Sequence, residues 1–206
     1  MRLLVASSNP GKVKEYAALA EAFGSAARVQ LAMLPGFEAV PAFEESAPTF
    51  AENAAGKALH YSRFADDAVI ADDSGLCVDA LDGGPGVLSA RYAGPNASDG
   101  ARVLKLLEEL RLRGADAPAR RGAHFVCVLA VAQRGRAMAV VSARADGYIL
   151  DAPRGDGGFG YDPVFLYPAL GKTFAELARE EKNVHSHRGR AFRRLLEVAR
   201  MTGQTV

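Results

Sequence analysis

Apolar residues recur at helical spacing in five stretches of this chain, and residues suited to helix starts precede most of them. Thr49 and Glu52, like Thr173 and Glu176, have the spacing of a capping box. The pattern predicts helices over about residues 11–23, 49–64 and 173–181, with two more that begin after the N-cap candidates Ser98 and Ser186. The helix after Ser98 is expected to bury its apolar residues, which are Val103, Leu104, Leu107 and Leu110.

Short apolar runs between these helices have the length and composition of buried strands. They cover residues 3–6, 29–33, 69–71, 76–81, 125–132, 137–143, 147–150 and 164–167. A turn at Ser74-Gly75 is expected to separate the third run from the fourth, and Gln133-Arg134-Gly135 to join a strand pair. Because strands and helices mix without strict alternation, the pattern predicts an α/β fold with a mixed sheet, in a single domain over residues 1–206.

Composition narrows the classes of protein further. Hydrophobic residues make up 49% of the 206 residues, which is enough for a core, and 25 Lys and Arg balance 24 Asp and Glu. Proteins that bind long nucleic acids non-specifically usually show a basic excess, which is absent here. Cys77 and Cys127 form no C-x-x-C pair, so we expect buried, reduced thiols in a cytoplasmic protein rather than a zinc site. The apolar run at residues 3–6 is too short for a signal peptide or a membrane span.

The first polar cluster, Ser7 to Lys12, joins the first predicted strand to the first helix. Backbone N–H groups at a helix start favour an anion, while Ser8 and Asn9 add donors and Lys12 adds charge. The pattern therefore indicates phosphate binding, with an ordinary N-cap followed by a Pro-Gly turn as the alternative. It is not a Walker A loop, because position 6 is Ala and Val13 follows Lys12.

Asp72 and Asp73 stand at the end of a predicted buried strand. Adjacent side chains of a strand point to opposite faces, so at most one of the two should face a site squarely. A carboxylate there suits Mg²⁺ or proton abstraction from water, and an Asp-Ser-Gly turn is the structural alternative. Glu44 and Glu45, in an acidic loop, either complete a metal site or form a solvated surface.

Two further clusters carry candidate chemistry. Residues 155–160 match G-x-G-x-x-G, but no helix follows, so we reject dinucleotide binding and consider Phe159 as a stacking face for a base or as a core residue. His187 and Arg188 fall in the first turn of the last helix, where cations oppose the helix dipole. A bound anion or base carbonyl would offset that conflict, and two solvated side chains are the alternative. On the helix after Thr49, Asn53 and Lys57 project from one face, as they also would on any exposed helix.

In the order of these motifs the chain resembles the inosine/xanthosine triphosphate pyrophosphatase family over nearly its whole length. The similar stretches are Ser8 to Lys12 with Glu15, Glu45 through Thr49 to Ala54 with Lys57 and Ala58, Ala71 to Leu76, Pro85 and Gly86 with Ser89 to Tyr92, Gly158 to Pro163, and Glu181 to Asn183 with Ser186 to Arg188. The resemblance implies a two-lobed α/β fold around a long mixed β-sheet, with the active site in the cleft between the lobes, and a cytoplasmic homodimer. It implies Mg²⁺-dependent hydrolysis of ITP, dITP, XTP and dXTP to monophosphate and pyrophosphate, which would cleanse the nucleotide pool, and no nucleic-acid or membrane partner.

The resemblance also implies roles by position. Asp73 would be the base toward the attacking water and, with Glu45, would hold the metal. Ser74 and Lys57 would contact the substrate, and Lys182 the phosphate or the base. His187 and Arg188 would donate hydrogen bonds to the 6-oxo group. The triphosphate would be bound by Ser7, Ser8, Asn9, Pro10, Gly11 and Lys12, and the base framed by Phe159, Gly160, Tyr161 and Asp162.

Other functions stay open at this point. A related pyrophosphatase could act on pyrimidine nucleotides, and a nucleotide-binding sensor would bind without turnover, although carboxylates beside phosphates disfavour the sensor unless a metal is present. An RNA-binding protein is disfavoured by the charge balance and the absence of Trp. Guanine also carries O6, so rejection of GTP must rely on its 2-amino group.

Overall fold

The computed structural model describes residues 2–24 and 29–201. Its strands are β1 (Arg2–Val5), β2 (Gln30–Met33), β3 (Ala68–Val78), β4 (Gly122–Gln133), β5 (Arg136–Ile149), β6 (Phe165–Tyr167) and β7 (Lys172–Thr173). Its α-helices are α1 (Pro10–Leu19), α2 (Phe50–Tyr61), α3 (Asp99–Leu112), α4 (Arg179–His185) and α5 (His187–Met201). A π-helical turn, Ala20–Gly24, extends α1, and a 3₁₀ turn, Ser62–Phe64, extends α2.

The strands form one sheet in the order β2-β1-β3-β4-β5-β6-β7. The strand β1 pairs in parallel with β2 and β3, whereas β6 pairs antiparallel with β5 and β7. Between β4 and β5, Arg134 and Gly135 both have positive φ, 49° and 76°, as a two-residue type I′ hairpin turn requires. The expected α/β fold with a mixed sheet is therefore confirmed.

The chain forms two compact units. Unit 1 consists of Met1–Asp73, Cys127–Ala143 and Arg188–Val206, and unit 2 of Ser74–Val126 and Arg144–His187. The chain passes from one unit to the other within β3, β4 and β5 and after the first residue of α5.

Unit 1 buries both faces of β1. Leu3 and Val5 belong to a cluster with Phe192 of α5, whereas Leu4 and Ala6 belong to a second cluster with Tyr61 of α2. Successive side chains of a strand alternate between faces, so helices must cover both sides of this parallel part of the sheet. Burial of both faces explains why residues 3–6 form a continuous apolar run rather than an alternating pattern.

Unit 2 has its own core, built around aromatic rings that pack against one another. The ring centroid of Phe125 lies 4.7 Å from that of Phe165 and 5.9 Å from that of Phe174. Leu106 and Leu110 of α3 are fully buried in the same cluster. The Ser98 side chain caps α3 by accepting a hydrogen bond from the Ala101 N–H at 3.1 Å, as its position predicted.

Several sequence-based expectations were wrong in detail. The strand β3 is continuous through Ser74-Gly75, because long pairing partners override the local turn preference of that dipeptide. Likewise, residues 147–149 are the end of β5 rather than a separate strand. On α3, Leu106 is buried and Leu104 is 70% exposed. Both cysteines are free, but Cys77 is only half-buried.

The expected helix start at Thr173 was also wrong. Both hydrogen bonds of a capping box form, since Thr173 N donates to Glu176 Oε2 at 2.7 Å and Glu176 N donates to Thr173 Oγ1 at 3.2 Å. They close a turn after β7, because the next N–H groups donate to Phe165 O and Asp162 O instead of starting a helix. The helix α4 begins only at Arg179. No helix among residues 2–24 and 29–201 is long and apolar enough to cross a membrane.

Candidate active site

The connection from β1 to α1 is an Asn-capped helix start. Asn9 has extended backbone angles, and its Oδ1 accepts a hydrogen bond from Lys12 N at 3.1 Å. Ser7 Oγ accepts a hydrogen bond from Asn9 N at 3.3 Å, and Pro10 occupies the first helical position. The N-cap followed by Pro-Gly, which was the alternative to phosphate binding for this motif, is thus present. It places the positive end of the α1 dipole and the Lys12 side chain at the same connection.

Asp72 is the centre of a buried ion-pair network in unit 1. Its Oδ1 lies 2.7 Å from Lys12 Nζ, and its Oδ2 lies 3.1 Å from Arg188 Nε. Arg188 also forms an ion pair with Glu15 of α1. Burial by itself would raise the pKa of Asp72, but the charges of Lys12 and Arg188 outweigh it and hold that pKa well below its usual range. Asp72 is therefore ionised, and it anchors two cations.

Asp73 points to the other face of β3 and meets a different lysine. Its Oδ1 lies 3.3 Å from Lys57 Nζ, which is also 3.2 Å from Glu45 Oε1. Asp73 Oδ2 is buried, and no atom of residues 2–24 and 29–201 is in hydrogen-bond geometry with it. Burial raises the pKa of Asp73, the charge of Lys57 opposes that rise, and the like charge of Glu45 adds to it. A carboxylate oxygen left unpaired in this way is costly unless a ligand, a metal ion or a water satisfies it.

The Glu45–Asp73 pair fits a divalent cation. Mg²⁺ is bound in proteins by one or two carboxylates together with waters and substrate phosphates, and here two carboxylates converge with one buried oxygen unsatisfied. Within the described ranges no three His, Cys, Asp or Glu side chains are grouped to hold an ion by themselves. Of the adjacent glutamates, it is Glu45 that reaches Lys57, while Glu44 is exposed.

In unit 2, Asp162 organises the glycine-rich turn at residues 157–162. Its Oδ2 accepts a hydrogen bond from Phe159 N at 2.8 Å and lies 2.5 Å from Lys182 Nζ. Lys182 Nζ also sits 5.3 Å from the centroid of the Phe159 ring. Nearby, Tyr161 Oη donates a hydrogen bond to Ser89 O at 2.9 Å. Phe159 is partly exposed rather than a core residue.

His187 belongs to the aromatic stack of unit 2. Its ring lies 4.6 Å from that of Phe125 at an interplanar angle of 9°, and the side chain is buried. Ser186, in the expected N-cap position of α5, has extended backbone angles. Arg188, the next residue after His187, makes its ion pairs in unit 1 with Asp72 and Glu15. The cation of Arg188 in the first turn of α5 is therefore balanced by protein carboxylates, which sequence reasoning had not foreseen.

The predicted site residues fall into two groups. In unit 1 the structure brings together Lys12 and Arg188 at Asp72, and Glu45 and Lys57 at Asp73. In unit 2 it brings together Phe159, Asp162 and Lys182, while Ser74 is the first residue of that unit, within β3. The anchoring role of Asp72 was missed, although the strand alternation that predicts opposite faces for Asp72 and Asp73 pointed to it.

Known proteins are similar to this chain over nearly its whole length. The model of the Ham1 family matches residues 3–198. A dITP/XTP pyrophosphatase of Geobacillus kaustophilus is 52% identical over 195 residues, covering 95% of this chain and 92% of that protein. One of Ralstonia nicotianae is 47% identical, covering 97% of each chain. These relatives confirm the expected class of enzyme, a nucleoside triphosphate pyrophosphatase.

Solved structures of similar sequence share the fold. A HAM1 protein from Coxiella burnetii superposes with a TM-score of 0.84 at 37% identity, covering 98% of this chain and 99% of the other. The Ham1 protein of Staphylococcus aureus gives a TM-score of 0.82 at 36% identity, covering 98% and 100%. With a family match over nearly all of its length and these relatives, the chain belongs to the Ham1 family.

Proposed function

We propose that this chain hydrolyses noncanonical purine nucleoside triphosphates, ITP, dITP, XTP and dXTP, to the monophosphate and pyrophosphate in an Mg²⁺-dependent reaction, and so cleanses the nucleotide pool. The observation that carries the proposal is the Asp73 cluster: a buried carboxylate with one unpaired oxygen, beside Lys57 and Glu45. The names of the relatives support the substrate class.

In the proposed reaction, water attacks the α-phosphorus, the bond from that phosphorus to the bridging oxygen of the β-phosphate breaks, and pyrophosphate leaves. Asp73 takes the proton of the attacking water. Its raised pKa brings it closer to the working pH than an ordinary aspartate, which suits a general base. Lys57, 3.3 Å from Asp73 Oδ1, would hold the carboxylate in place and contact the substrate together with Ser74.

The triphosphate is assigned to the start of α1. The residues proposed to bind it are Ser7, Ser8, Asn9, Pro10, Gly11 and Lys12. The α1 N-terminus and the Lys12 ammonium supply positive potential there, and Asp72 fixes the ammonium at 2.7 Å. Glu45 and Asp73 would hold Mg²⁺, which when bound neutralises charge on the phosphates.

The base is assigned to residues of the glycine-rich turn and α5. Phe159 would stack on the purine, framed by Gly160, Tyr161 and Asp162, with Lys182 beside the ring. His187 and Arg188 would donate to O6 of hypoxanthine or xanthine. An adenine amino group at that position would leave buried donors unpaired, which costs about 1–3 kcal/mol each.

We also propose that the protein is a cytoplasmic homodimer. Light scattering after size-exclusion chromatography would test whether it is a dimer.

The test is pyrophosphate release from ITP and XTP, with ATP and GTP in parallel, with and without Mg²⁺. We expect Mg²⁺-dependent release from ITP and XTP far above ATP and GTP. Asp73→Asn should abolish most turnover and keep the fold, whereas Asp82→Asn, an exposed control, should keep full activity. If ITP binds but no pyrophosphate is released, the chain is a nucleotide sensor rather than an enzyme. Equal release from all four nucleotides would overturn the proposed base discrimination.

A further inference from the structure

The segment that carries Glu45, residues 41–47, has no regular secondary structure and is held to α2 at several points. We call it the Glu45 segment. A carboxylate on an irregular loop is mobile unless side chains fix the backbone on both sides of it. The contacts of this segment therefore bear on how well Glu45 is placed.

Asn53 of α2 fixes the end of the segment. Its Oδ1 accepts a hydrogen bond from Ala47 N at 3.1 Å, and its Nδ2 donates one to Ala47 O at 3.2 Å. The Asn53 side chain is only 1% exposed, and both of its polar groups reach Ala47, two positions after Glu45. The same side chain also lowers the pKa of Asp73 through a hydrogen bond. Such a paired contact fixes both the position and the orientation of the backbone at Ala47.

The last turn of α2 fixes the beginning of the segment. Pro41 O lies 2.7 Å from His60 Nε2, and Phe43 N donates a hydrogen bond to Tyr61 Oη at 3.1 Å. These bonds lie four and two residues before Glu45. The segment is therefore tied to one helix on both sides of its carboxylate.

Gly56 makes room for the middle of the segment. A Cβ atom at that position would lie 3.0 Å from Cε2 of Phe43 and closer still to Cζ, so the ring of Phe43 packs where any other residue would place its side chain. Gly56 is on the same helix as Asn53 and Lys57, and Lys57 Nζ is 3.2 Å from Glu45 Oε1. One helix thus carries the anchors of the segment and the cation that its carboxylate meets.

We propose that Asn53 and Gly56 are positioning residues, which hold the Glu45 segment against α2 so that Glu45 is preorganised beside Asp73 for a divalent cation. This inference rests on the proposed function through the metal role of Glu45. Without the anchors, the segment would have to be ordered each time a cation binds, and that ordering weakens affinity. Outer partners of metal-binding residues affect affinity in this way in other proteins, by about 10- to 100-fold.

The experiment measures Mn²⁺ binding to the nucleotide-free protein by electron paramagnetic resonance, and the Mg²⁺ concentration for half-maximal activity. Asn53→Ala and Gly56→Ala should each weaken Mn²⁺ binding about 10-fold or more, and raise the Mg²⁺ requirement in parallel. Turnover of Gly56→Ala at saturating Mg²⁺ should stay near that of the wild type. In a Glu45→Gln background, Gly56→Ala should have little further effect on Mn²⁺ binding, because Gly56 contacts only Phe43 of the Glu45 segment and so acts through Glu45.

Ser62→Ala is the matched control. Ser62 is a fully buried residue just after α2 whose Oγ donates to Leu59 O and accepts from Gly135 N, so its loss removes hydrogen bonds without touching the Glu45 segment. It should lower Tm and leave Mn²⁺ binding unchanged. Gly56→Ala separates helix propensity from positioning. Alanine is the better helix former, so a gain in helix propensity alone would not weaken metal binding, whereas the loss of room for Phe43 should weaken it.

Three outcomes would overturn the inference. They are unchanged Mn²⁺ affinity in both variants, equal weakening in Ser62→Ala, and absence of Mn²⁺ binding to the wild type. Failure of the proposed function is a separate result: it shows as no pyrophosphate release from any nucleotide, while the Mn²⁺ titrations still decide whether Asn53 and Gly56 position a metal-binding glutamate.

Discussion

Asp72 and Asp73 are neighbours in β3, but their surroundings move their pKa values in opposite directions. Lys12 and Arg188 lower the pKa of Asp72 against the effect of its burial, whereas burial raises that of Asp73. Strand alternation is the cause, because it turns the two side chains to opposite faces with different partners. One carboxylate is thereby an anchor for cations, and the other keeps a buried oxygen without a hydrogen-bond partner in the part of the chain that the structure describes.

Asp72→Asn should destabilise the protein by roughly 3 kcal/mol, because it leaves the buried Arg188 with one carboxylate instead of two. Urea denaturation at pH 7 in EDTA measures the change. Asp67→Asn, which breaks the exposed pair with Arg2 at 3.4 Å, is the control and should cost less than about 1 kcal/mol. Equal effects of the two substitutions would contradict the anchoring role.

The stability difference between the wild type and Asp72→Asn should also depend on pH. The folded pKa of Asp72 lies below its unfolded value, so its stabilisation is complete above the unfolded pKa, near 4, and is lost as the pH falls through the folded pKa. The difference should therefore be constant between about pH 6 and about pH 8, and it should shrink below about pH 4. A difference that stays constant in acid would show that Asp72 acts by packing rather than by charge.

At the scale of elements, α3 shows what the spacing of hydrophobic residues can and cannot predict about a helix. The helix has apolar residues on two adjacent stripes, and periodicity alone does not distinguish them. Packing against the aromatic core of unit 2 selects Val103, Leu106 and Leu110, and it leaves Leu104 exposed. Helix existence and its Ser98 cap were predictable from the sequence, whereas the buried face depended on tertiary contacts.

These two leucines give a matched pair of substitutions. Leu106→Ala should cost about 2–5 kcal/mol in free energy of unfolding, because it opens a cavity at a fully buried position. Leu104→Ala, at a residue that is 70% exposed, should change it by less than about 0.5 kcal/mol. Thermal and urea unfolding of both variants checks which face of α3 is buried. A larger loss of stability in Leu104→Ala than in Leu106→Ala would refute the assignment.

The candidate site was predictable to a similar extent. Glu45, Lys57 and Asp73 were named from the family motifs, and the structure places them together. The partners of Arg188 could not be foreseen, because Glu15 and Asp72 lie far from it in the sequence and meet it only in the folded unit. Local patterns reveal caps and motifs, whereas ion pairs between distant segments require the fold.

At the scale of the whole molecule, each unit has its own core, but neither is a continuous piece of chain. The passages between units lie inside β3, β4 and β5 and in α5, with no linker. Strands that belong to both units cannot lose pairing in one without fraying in the other. We therefore expect one unfolding transition, with coincident far-UV circular dichroism and tyrosine fluorescence curves, and two separated transitions would contradict this.

The phosphate-side and base-side assignments make separable predictions for the whole enzyme. His187→Phe should keep the stack on Phe125 while deleting the ring donors. If His187 donates to O6, kcat/KM for ITP should fall by about 10-fold or more, since a lost donor costs 1–3 kcal/mol, whereas a triphosphate of unsubstituted purine, which lacks O6, should be little affected.

Lys12→Met should lower kcat/KM for both nucleotides by a similar factor, because every triphosphate presents the same charges to the start of α1. If His187→Phe lowers kcat/KM for both nucleotides by the same factor, His187 does not donate to O6 and is a packing residue only. An effect of Lys12→Met that depended on the base would overturn the assignment of Lys12 to the triphosphate. Steady-state kinetics of the two variants on the two nucleotides thus test phosphate binding by Lys12 and base recognition by His187.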